Sequence, residues 1–155
     1  MDKTAYIAFG SNLGDSREII KKAYAALDLV PGVRTQALSP LYVTKPWGYA
    51  DQPDFINACC RVETSLSPEA LLGVCLGIEA AYGRVREIKN GPRVLDMDLL
   101  LYEGEERDTP ELRLPHPELR ERDFVLEPLS DVSVEGYACG LDVPAALKRL
   151  IAKEK

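Results

Sequence analysis

Apolar residues recur along this chain with two different periods, and the order in which the periods alternate restricts the fold more than any other feature. Thr4 to Phe9 reads as a strand that ends in a turn at Gly10-Ser11-Asn12. Asp15 follows as a helix N-cap with Glu18 three residues on, a capping-box arrangement. Ile19, Ala23, Ala26, Leu27 and Val30 then fall at helical spacing until Pro31-Gly32 stops the run. Val33 to Val43 reads as a second strand, an edge strand because Pro40 removes a ladder donor. Phe55 to Thr64 reads as a third. Ser67-Pro68 is an N-cap with proline at the first helical position. It opens a helix that carries Leu71, Leu72, Cys75, Ile78 and Tyr82 on one face and ends at Gly83. Val94 to Tyr102 is the fourth strand.

Strand, helix, strand, strand, helix, strand is the order of a ferredoxin-like split βαβ unit. The expected class is therefore α+β, with helices on one face of a mainly antiparallel sheet. Beyond Tyr102 the pattern is weaker. Leu112 and Leu114 read as a short strand broken by Pro115-His116-Pro117, Glu118 to Asp123 as a short helix, and Val143 to Lys153 as a terminal one. This later part reads as an appendage able to cover an active site. With 155 residues, 46% of them hydrophobic, the chain fits one domain spanning 1–155.

Charge and cysteine usage exclude several classes. A formal net charge of -6 argues against a general nucleic-acid or anionic-membrane binder. No apolar run approaches the ~20 residues of a membrane span. The N-terminus enters a strand directly, with no signal-like segment, so the cytoplasm is the expected compartment. Cys59, Cys60, Cys75 and Cys139 form no CxxC, and His116 is the single histidine, so zinc spacing is absent. All four are read as buried, reduced thiols, with Cys59 and Cys60 on opposite faces of a strand.

The stretch RVREIKNGPRVLDMDLL, Arg84 to Leu100, runs against the acidic balance. It places Arg84, Arg86, Lys89 and Arg93 within ten residues, just ahead of Asp96 and Asp98. Side chains two apart on a strand share a face, so the two carboxylates project together. Leu95, Met97, Leu99 and Leu100 mark that strand as well buried. Two buried carboxylates without a cation would carry a heavy desolvation penalty. Arginine and lysine suit phosphate oxygens and carboxylates suit magnesium, so the combination fits a polyphosphate carried with divalent metal. Gly91-Pro92 restricts the backbone ahead of Arg93 and presents its guanidinium at low entropic cost.

Other segments are less specific. Thr44 to Asp54, with two prolines, a glycine and two aromatics, is a loop long enough to suspect of function. GSNLGD lacks the order and the lysine of a phosphate loop and reads as a turn feeding a capped helix. Trp47, Phe55, Asn57 and Phe124 could flank a flat heterocycle, with Asn57 pairing through its amide, although from the residues alone ordinary core packing is the better account. His116, between two prolines, reads as structural or capping.

Taken together, AYIAFGSNLGD (Ala5–Asp15), DQPDFINA (Asp51–Ala58), IEAAYGRVR (Ile78–Arg86), NGPRVLDMDLL (Asn90–Leu100) and LPHPELRERDFVLEPL (Leu114–Leu129) resemble the 6-hydroxymethyl-7,8-dihydropterin pyrophosphokinases of folate biosynthesis. The resemblance covers nearly the whole chain, and GPR-x-x-D-x-D is its most specific element. It implies a ferredoxin-like fold and transfer of the β,γ-diphosphate of ATP to the pterin's hydroxymethyl oxygen, releasing AMP. It further implies Asp96 and Asp98 as ligands of two magnesium ions, which with Arg84 and Arg93 make the catalytic set. Glu79, Arg84, Arg86, Lys89, Arg93, His116 and Arg122 correspond to the nucleotide side. Phe55 and Phe124 correspond to the aromatic pair around the pterin, whose edge is read by Thr44, Pro46, Trp47, Asn57 and Asp96. The implied partners are small molecules alone, with no nucleic acid or membrane, and the implied state is a monomer. The chain departs from the pattern at three places: Phe55 replaces a frequent tyrosine, Asn90 a frequent tryptophan, and Glu111 an arginine, with Arg113 nearby.

Two other classes share the topology. A regulatory nucleotide-binding domain would bind ATP without releasing AMP. An RNA-binding domain would need a basic, aromatic sheet face, which this acidic chain lacks.

Overall fold

A five-stranded antiparallel sheet organises the computed structural model, which describes residues 2–46, 51–83 and 92–154. Its elements run β1 (Lys3–Ser11), α1 (Ser16–Asp28), β2 (Val33–Leu38), β3 (Tyr42–Thr44), β4 (Phe55–Thr64), α2 (Pro68–Ala81) and β5 (Asp96–Tyr102). The strands lie in the order β2-β4-β1-β5, with β3 also paired to β4. All pairings are antiparallel. This is the split arrangement the alternating periods predict: β1 and β2, joined through α1, are separated by β4.

One expected strand becomes two. The run from Val33 to Val43 is interrupted at residues 39–41, where Pro40 has no N–H to give the ladder. Ser39 bridges the gap. Its N–H donates to the Cys59 carbonyl (2.9 Å) and its hydroxyl accepts from the Cys59 N–H (3.0 Å). β3 then resumes alongside the first residues of β4, with Thr44 opposite Phe55 and Tyr42 opposite Asn57.

Strand alternation divides the core into two layers. Ala5, Ile7 and Phe9 of β1, with Cys60 and Val62 of β4, pack against Ile20, Ala23 and Leu27 of α1 and Leu71 and Cys75 of α2. Tyr6 and Ala8 of β1, with Cys59 of β4, face the other way. A bulge in β5 opposite Tyr6 and Ile7 places both Leu100 and Leu101 on that second face and returns Tyr102 to the first.

α1 and α2 pack on one face, as expected of the split unit, and the C-terminal part covers the second face as an appendage. After the short pair β6 (Arg107–Asp108) and β7 (Arg113–Leu114), a 3-10 turn at Leu119–Glu121 leads into α3 (Asp123–Val132). A small hairpin, β8 (Tyr137–Ala138) and β9 (Leu141–Asp142), then leads to α4 (Val143–Glu154). Val125, Leu126, Leu129 and Val132 of α3 and Ala146 and Leu150 of α4 join the second layer. Polar ties pin α3 to the sheet: Arg61 donates to the Val132 carbonyl (2.6 Å), and the Tyr42 hydroxyl bonds Asp131. The expected helix from Glu118 to Asp123 is thus the 3-10 turn, and the longer α3 follows it. Pro128 sits inside α3. Cys59, Cys60 and Cys75 are buried free thiols as expected, and the first two do face opposite layers. Cys139, on the β8–β9 turn, is exposed rather than buried.

If α3 is part of the core, truncating its buried centre costs a full core residue. Leu126, 0% exposed, is expected to lose about 2–5 kcal/mol on Leu126→Ala, measured by urea unfolding. A loss below about 1 kcal/mol would mean that this segment is a dispensable cover.

Candidate functional site

Small residues on the central strand leave a hollow on the second face, beyond the N-terminal end of α3. Ala8 and Gly10 of β1 form its floor. Gly10 lies opposite Asn57 on one side and Asp96 on the other, so all three point into one row. A Cβ at Gly10 would come within 3.3 Å of the Asn57 Oδ1 and 4.0 Å of the Asp96 Cβ. A larger residue would therefore fill the space between these two walls. One wall is Phe55 and Asn57 of β4 with Thr44 and Lys45 beside them, and the other is Arg93, Asp96 and Asp98. Arg122, Phe124 and Val125 close the cleft from above.

Each wall is held by its neighbours. The Asn57 amide donates to the Thr44 hydroxyl, which turns its Oδ1 toward Gly10. The Arg122 guanidinium lies 5.5 Å over the centre of the Phe124 ring, a cation–π contact, and is ion-paired with Glu118 one helical turn earlier. Arg93 is held through its backbone. Its N–H donates to the Asn12 Oδ1 (2.8 Å), and its carbonyl accepts from the N–H groups of Asn12 (2.9 Å) and Leu13 (3.2 Å).

A second cleft opens on the other side of β5. Leu72, Leu76 and Glu79 of α2, Met97 and Leu99 of β5, and residues 110–113 with His116 and Pro117 line it, and Asp98 borders it as well as the first. β5 is the sheet's edge, so it separates an apolar slot on one face from a carboxylate pair on the other. Asp96 and Asp98 are half-buried, open to the cleft rather than sunk in the core as the apolar run around them predicts.

Glu79 occupies a core position of α2, four residues after Cys75 and 2% exposed. Its carboxylate accepts from the outward Met97 N–H (2.7 Å), which satisfies a donor on the edge strand. Burial pushes this carboxyl up to about 8. The Met97 N–H opposes that rise, while the charge and hydrogen bond of Asp96 add to it. The His116 Nδ1 accepts from the Glu118 N–H (3.2 Å), so the neutral ring carries its proton on Nε2 and offers a donor there. Burial, helped by Arg122, lowers the pKa of that ring.

The expected site residues thus fall into two groups around β5. Thr44, Phe55, Asn57, Arg93, Asp96, Asp98, Arg122 and Phe124 meet in the first cleft, and Glu79 and His116 in the second with Asp98. Arg93 and Arg122 therefore stand on the carboxylate side, apart from the apolar slot. Pro46 is half-buried beyond Lys45 and borders neither cleft. Trp47, Arg84, Arg86 and Lys89 lie outside the described residues. Sequence reasoning missed Gly10, whose role needs the cross-strand register, and the apolar slot of Leu72, Leu76, Met97 and Leu99, which reads as plain core. Glu111 and Arg113, left without a role, both border the second cleft. Glu79 was detectable as a charge on an otherwise apolar helix stripe.

Two carboxylates on one strand face are a hard-oxygen donor set that fits magnesium, which takes its remaining ligands from phosphate and water. Among the described residues no group of three or more potential ligands gathers for a metal, so the pair fits an ion arriving with its phosphates rather than one caged by protein. No helix among those residues is long and apolar enough to cross a membrane.

Comparison with known proteins gives a consistent result. A family model described as 7,8-dihydro-6-hydroxymethylpterin-pyrophosphokinase matches residues 6–134. A 2-amino-4-hydroxy-6-hydroxymethyldihydropteridine pyrophosphokinase of Methylorubrum extorquens is 47% identical over 146 residues, covering 94% of this chain and 92% of the relative. Its namesake in Pseudomonas aeruginosa is 44% identical over 133 residues, covering 86% and 82%. Among solved structures, a Plasmodium falciparum HPPK-DHPS with pteroate superposes with a TM-score of 0.72 at 13% identity. That alignment spans 100% of this chain and 44% of the larger one, and it bears on the fold alone.

The Glu79 proton makes stability depend on pH. The folded chain holds it up to about 8 and the unfolded chain only to an ordinary 4.5, so its stabilisation is complete below the lower value and is lost as pH rises through the upper. In metal-free buffer, the Tm of the wild type is expected to fall between about pH 5 and 8 relative to Glu79→Gln, which has no proton to lose. Parallel Tm profiles for the two would show that this carboxyl is ionised in the folded state throughout.

Proposed function

The chain belongs to the 7,8-dihydro-6-hydroxymethylpterin-pyrophosphokinase family, and we propose that its two clefts divide that reaction's substrates across the edge strand β5. The reaction is diphosphate transfer from ATP to the hydroxymethyl group of 6-hydroxymethyl-7,8-dihydropterin, in folate synthesis. The observation that carries the proposal is the position of Asp98, which borders both clefts while Asp96 beside it faces only the first. In this reading the pterin ring lies between Phe55 and Phe124. The Asn57 Oδ1 takes a donor from its edge, with Thr44 behind that amide. The nucleoside occupies the apolar slot of Leu72, Leu76, Met97 and Leu99, and its phosphates cross the end of β5.

ATP carries about four negative charges, and a neutral alcohol must reach its β-phosphorus in line. Arg93 and Arg122 border the carboxylate side, where charge-assisted bonds to phosphate oxygens neutralise part of that charge. His116 adds a neutral Nε2 donor from the other side. Arg84, Arg86 and Lys89 precede Arg93 in sequence and extend the same cation supply. Asp96 and Asp98 would hold magnesium, two ions by family analogy, and when bound these ions would neutralise phosphate oxygens and favour the AMP leaving group. Glu79, keeping a proton near neutral pH, lowers the repulsion that three adjacent carboxylates would otherwise impose. Positioning the two substrates supplies most of the remaining rate. Both are small molecules, and the reading places the enzyme in the cytoplasm as a monomer without nucleic-acid or membrane partners.

The deciding experiment supplies ATP, magnesium and hydroxymethyldihydropterin and separates AMP from ADP. AMP is the expected product, and ADP would mean transfer of a single phosphoryl group. Asp98→Ala is expected to lose nearly all turnover while its circular dichroism and Tm remain those of a folded protein. Wild-type-like activity in that variant would remove the metal platform. Arg93→Ala is expected to lower kcat/KM at least ~10-fold, the loss of one charge-assisted bond of ~1.5–3 kcal/mol. An unchanged value would take Arg93 off the phosphates.

A further inference from the structure

The turn after β1, which carries no role in the division of substrates above, joins the two sides of the first cleft. Asn12 is 6% exposed and lies one residue beyond the end of β1. Its Oδ1 accepts from the Arg93 N–H (2.8 Å), while its Nδ2 donates to the Gln52 Oε1 (2.8 Å) and the Pro53 carbonyl (2.9 Å). The orientation of the amide is fixed by chemistry, because a backbone N–H can only donate and a backbone carbonyl can only accept. Its own N–H also donates to the Arg93 carbonyl (2.9 Å), so this one residue grips both ends of Arg93. Pro53 stands two residues before Phe55, the first residue of β4.

We infer that Asn12 is a positioning residue that sets the distance between the phosphate-holding Arg93 and the pterin-holding Phe55. The inference rests on the assignment of those two roles. It reaches residues that make no substrate contact in that assignment. Arg93 lies three residues before β5, where the β1–β5 register ends at Gly10 and Asp96, and the turn after β1 binds both its N–H and its carbonyl. Residues 51–54 likewise precede β4. Both segments therefore share one side chain, which bonds to each of them. In-line transfer needs the acceptor oxygen and the β-phosphorus within about 3–3.5 Å, and a 1 Å misplacement can cost ~100-fold.

The test uses the full-length enzyme with Asn12→Asp and Asn12→Ala. Asn12→Asp keeps the acceptor for the Arg93 N–H but turns a carboxylate oxygen toward the Pro53 carbonyl, whichever way Gln52 rotates. Asn12→Ala removes the side-chain bonds to both segments and leaves the backbone bonds to the Arg93 carbonyl in place. Both variants are expected to lose at least ~10-fold in kcat at saturating substrates. Their affinities for the pterin alone and for magnesium with a nonhydrolysable ATP analogue alone, measured by calorimetry, are expected to stay within about threefold of wild type. Thermal melts report folding separately, and if Asn12→Ala does not fold, Asn12→Asp carries the test. A kcat within about twofold of wild type in Asn12→Asp would overturn the inference, as would a loss confined to the affinity for one substrate. Failure of the wild type itself to release AMP would instead overturn the assignment of the clefts, whatever the variants do.

Discussion

Successive side chains of a strand point to opposite faces, and on β5 this rule has unusual consequences because the strand is the sheet's edge. Asp96 and Asp98 face the layer roofed by α3, while Met97 and Leu99 face α2. A shift of register by one residue would exchange the two sets, burying both carboxylates against α2 and exposing the apolar pair. The register is held by pairing to β1, by the bulge near Leu100 that confines any irregularity to the far end, and by the Glu79 carboxylate on the Met97 N–H. An edge strand usually leaves outward donors to solvent. Here the outward groups are taken by side chain and backbone instead, since the Leu100 carbonyl also accepts from the His116 N–H at 2.9 Å.

That arrangement concentrates acid where, in the proposed reading, an acidic substrate binds. Glu79, Asp96 and Asp98 stand together at one strand end of a chain whose net charge is -6. Two features make this tolerable. Burial favours the protonated form of Glu79, which lessens the negative charge gathered there. Arg93 and Arg122 border the same cleft. At physiological salt, charges beyond about 8 Å are largely screened, so the global acidity weighs less on an incoming polyphosphate than these local cations do. In the proposed reading, a divalent ion shared by substrate and protein would remove what repulsion remains.

Much of this was legible in the sequence because the relevant signals are local. Alternation placed Asp96 and Asp98 on one face, Ser67-Pro68 and Asp15 marked the helix starts, and the order of elements gave the sheet topology. What stayed hidden depends on register or on long-range packing. Gly10 gains its meaning only opposite Asn57 and Asp96, and Asn12 only when residues forty and eighty positions away reach it. The split of one long strand into β2 and β3 was signalled by Pro40, but the Ser39 bonds that bridge it were not. α3, which the local pattern did not place, carries Pro128 inside it, and tertiary packing outweighs that local penalty. Cys139 reads as one more apolar residue, yet it lies on a two-strand turn with a positive φ of 48°, and such a turn stays at the surface.

The elements that hold the site also hold the fold, which explains how the roof can be precise. α3 contributes Val125, Leu126, Leu129 and Val132 to the second layer and, from its first turn and the residue before it, Phe124 and Arg122 to the cleft. Phe124 therefore cannot drift without disturbing packed neighbours, and Arg122 is braced by Glu118 and by the ring beneath it. Phe55, Asn57, Asp96 and Asp98 are likewise strand residues with defined partners. The groups assigned to the flat ring and to the metal stand on regular elements, where side-chain geometry is tightly determined.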